Sequence, residues 1–224
     1  MGGAPGDLWV FGYGSLMWRP DFPFEEVYPA RLDGWHRRFC IVSRHYRGTD
    51  ERPGLVLGLD RGGVCEGRVF RVGREDAASV LAYLRRREQI SGVYREAHLP
   101  VTLLTPGRER PVALMFLAER AHPSFIRPLD LRFQAEIIRG AAGKTGTNLA
   151  YLVSTLEALR ALGIREAELE RLLVTLGPIR ARAGSAGHLK LGHRKSMRRW
   201  PRRPVLRLAD VKRFIHRGRM GGGK

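Results

Sequence analysis

Six short apolar runs separated by turn-forming residues fill the first half of the chain, at positions 8–11, 38–42, 55–59, 65–72, 98–104 and 112–117. Runs of this length bounded by Gly, Pro and Asp predict strands. Asp60-Arg61-Gly62-Gly63 and Thr105-Pro106-Gly107-Arg108 read as hairpin connections, so the pattern predicts a small, mixed but mainly antiparallel sheet able to close into a β-barrel. One helix interrupts the series at 75–87, with Ala77, Val80, Leu81 and Leu84 at helical spacing and acids in its first turn. Its apolar stripe runs on to Glu88, which ends in a carboxylate. After Pro123 the period becomes helical throughout, at 129–139, 147–162 and 166–176, with Thr147 or Asn148 as N-cap of the second. The fold class expected is α+β, a barrel with flanking helices.

Composition changes this picture only at the C-terminus. The 224 residues are 43% hydrophobic, enough for one sizeable core. The formal charge is +18, but 15 of the 40 Lys and Arg fall in 180–224 against the single acid Asp210, leaving about +4 for the first 179 residues. The expected organisation is therefore a folded domain over 1–179 and a basic, flexible extension over 180–224. That extension suits weak association with nucleic acid or anionic surfaces, although Trp200 and Phe214 alone interleave its basic residues. Residues 1–6 resemble neither a signal peptide nor a myristoylation site, and no 18-residue apolar run is present. Cys40 and Cys65 stand in apolar runs with no zinc or disulfide spacing. A cytoplasmic protein with reduced thiols and no membrane span is the expectation.

The segment Phe11-Gly12-Tyr13-Gly14-Ser15-Leu16 concentrates candidate chemistry, because a strand runs there into two glycines and a serine. Glycine permits positive φ and removes Cβ bulk, so main-chain N–H groups can converge on an anion. The same pattern also fits an ordinary strand-to-turn transition. Glu88, at the rim of an apolar face, would be partly desolvated, which raises its pKa and suits it to proton transfer near neutral pH. A frayed helix end in water is the plainer alternative. Gly143-Lys144-Thr145 looks like the end of a P-loop, but Ile138 stands where that motif needs glycine. Cys40 with His36 or His45 reads better as core plus surface than as a nucleophile and its base. His98, His122, His188, His193 and His216 show no metal-ligand spacing, so no metal or cofactor is expected.

The blocks Phe11-Gly12-Tyr13-Gly14-Ser15-Leu16, Trp18-Arg19-Pro20-Asp21-Phe22, Ser43-Arg44-His45-Tyr46-Arg47-Gly48-Thr49, Arg52-Pro53-Gly54-Leu55-Val56-Leu57-Gly58-Leu59 and Arg87-Glu88-Gln89-Ile90-Ser91-Gly92-Val93-Tyr94 together resemble the ChaC family of γ-glutamylcyclotransferases over residues 8–178. The resemblance implies a γ-glutamylcyclotransferase-like catalytic domain over 1–179. It implies Glu88 as acid/base catalyst, the glycine loop (Phe11, Gly12, Tyr13, Gly14, Ser15, Leu16) as substrate cradle, and Asn148 and Tyr151 on the family's late helix. Tyr13 and Tyr94 would wall the pocket. Glutathione is the implied substrate, cyclised to 5-oxoproline with release of cysteinylglycine. No nucleophile or metal is then required, because the γ-glutamyl α-amine reaches its own γ-carbonyl through a five-membered ring. The alternatives are a cyclotransferase for other γ-glutamyl amines or dipeptides, and a non-catalytic nucleic-acid-binding protein acting through its basic extension.

Overall fold

The computed structural model describes residues 7–177. Its elements run β1 Leu8–Gly12, a 3₁₀ turn Ser15–Met17, β2 Glu26–Ser43, β3 Gly54–Val72, α1 Arg74–Glu88, β4 Tyr94–Pro100, β5 Thr102–Leu103, β6 Val112–Ala118, α2 Leu131–Gly140, β7 Ala142–Gly143, β8 Gly146–Thr147, α3 Asn148–Arg160 and α4 Ala167–Leu176. Six strands form one curled sheet in the order β4-β6-β1-β3-β2-β5, a half-barrel flanked by the four helices. Every pairing in it is antiparallel except β1 with β6. The two ends of the order, β4 and β5, are consecutive pieces of one segment separated only by Val101.

The sheet owes its shape to the long β2–β3 ribbon, and here two expectations are corrected. Residues 60–63 are not a hairpin connection, because β3 passes straight through them while β2 extends back to Glu26, well before the run at 38–42. Gly34, Gly62 and Gly63 all take left-handed φ, at +80°, +96° and +71°, where the register shifts between Asp33 and Trp35. The glycines therefore mark a bulge that bends a continuous ribbon. The second connection is a true reversal, with Arg108 N–H donating to the Thr105 carbonyl at 3.0 Å.

Side-chain alternation divides the core in two. Val10, Phe70, Leu114 and Phe116 pack with Val80 and Leu84 of α1. Their strand neighbours Phe11, Val69, Met115 and Leu117 enter the larger core, which α2, α3 and α4 complete through Ile138, Leu152, Leu156 and Leu172. Helix α1 opens with Glu75 and Asp76 and closes with Arg85, Arg86 and Arg87, both favoured by the helix dipole. No described helix is long and apolar enough to cross a membrane. The expected extension at 180–224 lies outside the described residues.

Candidate active site

Two segments distant in sequence meet at the end of α1. Arg87 donates from Nη2 to the Ser15 hydroxyl at 3.1 Å and from Nη1 to the Arg19 and Pro20 carbonyls at 2.7 and 3.1 Å. Its Nε lies 3.0 Å from Oε1 of Glu88. One guanidinium thus straps the Ser15–Met17 turn to the carboxylate seventy residues later. The Glu88 side chain is only 16% exposed. Burial raises its pKa above the ordinary carboxylate value, while the Arg87 charge and hydrogen bond act the other way.

Both groups face a cavity of ≈ 310 Å³, within the usual size of a small-molecule site. Ser15, Glu88 and Tyr94 line it beside Tyr83, Arg47 and Tyr151, with Ile41, Val56 and Val93 supplying apolar wall. Tyr94 donates its hydroxyl to the Leu57 carbonyl at 2.7 Å, and Leu57 N–H points at the Tyr151 hydroxyl at 3.4 Å. A single β3 residue therefore fixes both aromatic walls. Burial pushes the Tyr94 and Tyr151 hydroxyls well above the ordinary tyrosine range, so both stay protonated.

The other glycine-loop residues stand behind the cavity. Phe11 and Leu16 are core side chains, and Tyr13 is buried with its hydroxyl on the Phe116 carbonyl at 2.6 Å. Gly12 and Gly14 are absent from the positive-φ residues, Gly14 having φ −131°. Their need for glycine is spatial: a Cβ on Gly12 would meet the Leu16 Cβ at 3.0 Å, and one on Gly14 the Tyr151 hydroxyl at 3.1 Å. From behind, buried Arg37 donates to the Tyr13 carbonyl at 2.9 Å and pairs with Glu166 at 2.8 Å. The sequence carried no pattern for Arg37, and Arg47 and Arg87 stand in the family-like blocks without a role that spacing could assign.

Asn148 and Tyr151 occupy the start of α3. Thr147 is the N-cap, accepting from Ala150 N–H at 3.1 Å. Asn148, fully buried, instead bonds both the N–H and the carbonyl of Leu55 at 2.6 Å. Gly143-Lys144-Thr145 follows a helix and forms the β7–β8 turn, whose Lys144 and Thr145 N–H groups donate to the His45 and Tyr46 carbonyls. That placement excludes a P-loop. Among the described residues no group of three or more His, Cys, Asp and Glu is arranged to hold a metal.

Cys40 and Cys65 are free and buried. Burial pushes the Cys40 thiol up to about 12 and also raises Cys65. Neither is a nucleophile at neutral pH. The native protein is accordingly expected to resist alkylation at pH 8 and to expose two reactive thiols in denaturant; mass spectrometry after iodoacetamide treatment reads the difference.

A family described as ChaC-like protein matches residues 8–177. The glutathione-specific γ-glutamylcyclotransferase of Escherichia coli is 36% identical over 187 residues, which is 84% of this chain and 80% of the relative. The enzyme of the same name from Schizosaccharomyces pombe is 37% identical over 70% of this chain and 85% of its own. A crystal structure of the yeast γ-glutamyl cyclotransferase specific to glutathione superposes with a TM-score of 0.71 at 24% identity, covering 76% of this chain and 96% of that one. The last likeness shows a shared fold.

Proposed function

The chain belongs to the ChaC family, and from that premise we propose that it cyclises the γ-glutamyl group of glutathione, releasing 5-oxoproline and cysteinylglycine. The observation that carries the reading is the desolvated Glu88 carboxylate, tethered through Arg87 to Ser15 at the wall of a largely apolar cavity. In the reaction the α-ammonium loses a proton and its nitrogen attacks the γ-carbonyl carbon. The bond from that carbon to the cysteinyl nitrogen then breaks, and protons removed from the attacking nitrogen end on the leaving one. Nothing is consumed beyond the substrate, so one group that first accepts and then donates a proton serves both halves. Glu88 has that role here. Ser15, the loop residue at the cavity, is the proposed contact for the substrate's α-carboxylate or the developing oxyanion through its hydroxyl and main chain, with the Gly14 and Leu16 main chain flanking it; a donor of this type lowers a barrier by about 3 kcal/mol. Phe11, Gly12 and Tyr13 support that contact from the core, and Tyr94 packs beside the substrate.

In the same reading residues 94–103 close the curled sheet into a barrel, residues 1–179 are the catalytic domain, and 180–224 form a separate basic extension with weak affinity for nucleic acid or anionic surfaces. Two free buried thiols suit a cytoplasmic site of action. Incubation with glutathione and with γ-glutamyl-alanine, followed by 5-oxoproline measurement, tests the activity. Product from glutathione is expected, product only from γ-glutamyl-alanine points to the broader cyclotransferase, and product from neither removes the enzymatic reading.

The pH profile follows from the charge environment. Glu88 must be ionised to accept a proton, so kcat/KM falls on the acid side through a pKa above the ordinary carboxylate value. Arg87 favours the ionised form, so Arg87→Met is expected to move that acid limb to higher pH. An unshifted limb in the variant would separate Arg87 from control of Glu88.

A further inference from the structure

Four arginines line the cavity, and three have acidic partners: Arg19 with Asp21 at 2.8 Å, Arg44 with Asp50 at 3.7 Å and Arg87 with Glu88 at 3.0 Å. The fourth, Arg47, has no carboxylate partner among the described residues. It is half-buried, with its guanidinium 5.2 Å from the centre of the Tyr151 ring. Its Nη1 donates to the Thr145 and Thr147 carbonyls at 2.8 and 3.3 Å. The edge formed by Nε and Nη2, the one that meets a carboxylate side-on with two parallel hydrogen bonds, is left without a protein partner.

Arg47 is also held firmly in place. Its N–H donates to the Ser43 hydroxyl at 3.0 Å, and the β7–β8 turn lies against the same loop so closely that a Cβ on Gly143 would fall 2.6 Å from the His45 carbonyl oxygen. A part-desolvated cation that lines the cavity, fixed by its backbone, by two carbonyls and by an aromatic face, with one donor edge free of protein partners, is a preorganised anion site. Burial and the nearby Arg19 charge work against its cationic form and Tyr151 works for it, with a net lowering that a bound anion would relieve.

The geometry points to Arg47 as the residue that binds the C-terminal carboxylate of the peptide half of the substrate, selecting γ-glutamyl peptides that end in a free acid. The inference rests on the cyclotransferase reading. That chemistry puts the γ-glutamyl unit, with its α-carboxylate, at Glu88 and Ser15. The second carboxylate of glutathione is then left for a different wall, and Arg47 is carried by one, in the 43–54 loop.

The test compares glutathione with its C-terminal glycinamide analogue. With wild-type enzyme, amidation is expected to raise KM roughly 10- to 100-fold, the usual range for a charge-assisted pair, with kcat changed by less than about threefold. Arg47→Met should raise KM for glutathione by a similar factor and no longer distinguish acid from amide, and Arg47→Lys should restore part of the preference. Indifference of the wild type to amidation, or an undiminished acid preference in Arg47→Met, overturns the assignment. The amide arm uses the unmutated protein and therefore does not depend on how a variant folds. Calorimetric titration of both ligands into Glu88→Gln separates this inference from the activity. Selective binding of the acid without any 5-oxoproline from wild type keeps the Arg47 site and removes the reaction, and binding of neither ligand removes both.

Discussion

Glu88→Gln is expected to fold normally and to release 5-oxoproline from glutathione at least 10²-fold more slowly than wild type, toward the 10²–10⁴ that a positioned acid/base group contributes. Gln keeps the shape and can still meet the Arg87 guanidinium, but it accepts no proton. Near-normal turnover would remove Glu88 from the chemistry. Stability should separate from activity in this variant. The folded-state pKa of Glu88 lies above its ordinary value, so the folded protein favours the protonated carboxyl. That preference is fully present below the unfolded pKa and is lost as pH rises through the folded one. At neutral pH the neutral Gln therefore costs no stability relative to the ionised Glu. Thermal melts at pH 7 should show a Tm at or above that of the wild type, and a marked fall would instead mean that the carboxylate is a structural strut.

Asn148→Ala is expected to be the most destabilising single change near the site. It strips partners from both the N–H and the carbonyl of Leu55, which is 1% exposed. Buried main-chain groups left unpaired cost about 1–3 kcal/mol each, so a loss of about 2–6 kcal/mol is expected for the two. Urea denaturation should show a lower midpoint with the slope m unchanged. The damage reaches the cavity, because α3 also carries Tyr151, whose hydroxyl faces Leu57 two residues along the same strand. A change within 0.5 kcal/mol would mean that Leu55 finds replacement partners and that α3 is anchored elsewhere.

The legible part of the chain was the part governed by local periodicity. The stripe through Val80 and Leu84 placed α1 within a residue or two of its ends and carried Glu88 onto the edge of the apolar face. Residues 147–162 and 166–176 likewise became α3 and α4 with slightly trimmed ends. What misled was punctuation. Asp60-Arg61-Gly62-Gly63 has the composition of a hairpin loop, yet a bulge opposite Gly34 uses the same left-handed glycines, and only the pairing partner distinguishes the two. The amino-terminal half of β2 was missed because Pro29, Asp33 and Gly34 interrupt its alternation, which the length of β3 beside it overrides.

By itself the sequence determined the α+β class through the order of its elements, and most helices, the family blocks and the two segments that meet at the cavity through spacing and residue type over short stretches. The tertiary structure alone decided which cations at the site are spent and which is open. Arg19, Arg44, Arg47 and Arg87 are equivalent as letters, and they differ only in what the fold sets within 4 Å of each guanidinium. Of the two reasons for glycine at Gly12 and Gly14, positive φ and absence of Cβ bulk, the fold removed the first and kept the second, with lack of room beside Leu16 and Tyr151. Arg19, Arg44 and Arg87 meet acids close by in the sequence, whereas Arg47 and Gly14 meet partners far along the chain, at Thr145, Thr147 and Tyr151. Which of these contacts form is settled only once the chain has packed, whereas periodicity is already present in the unfolded string.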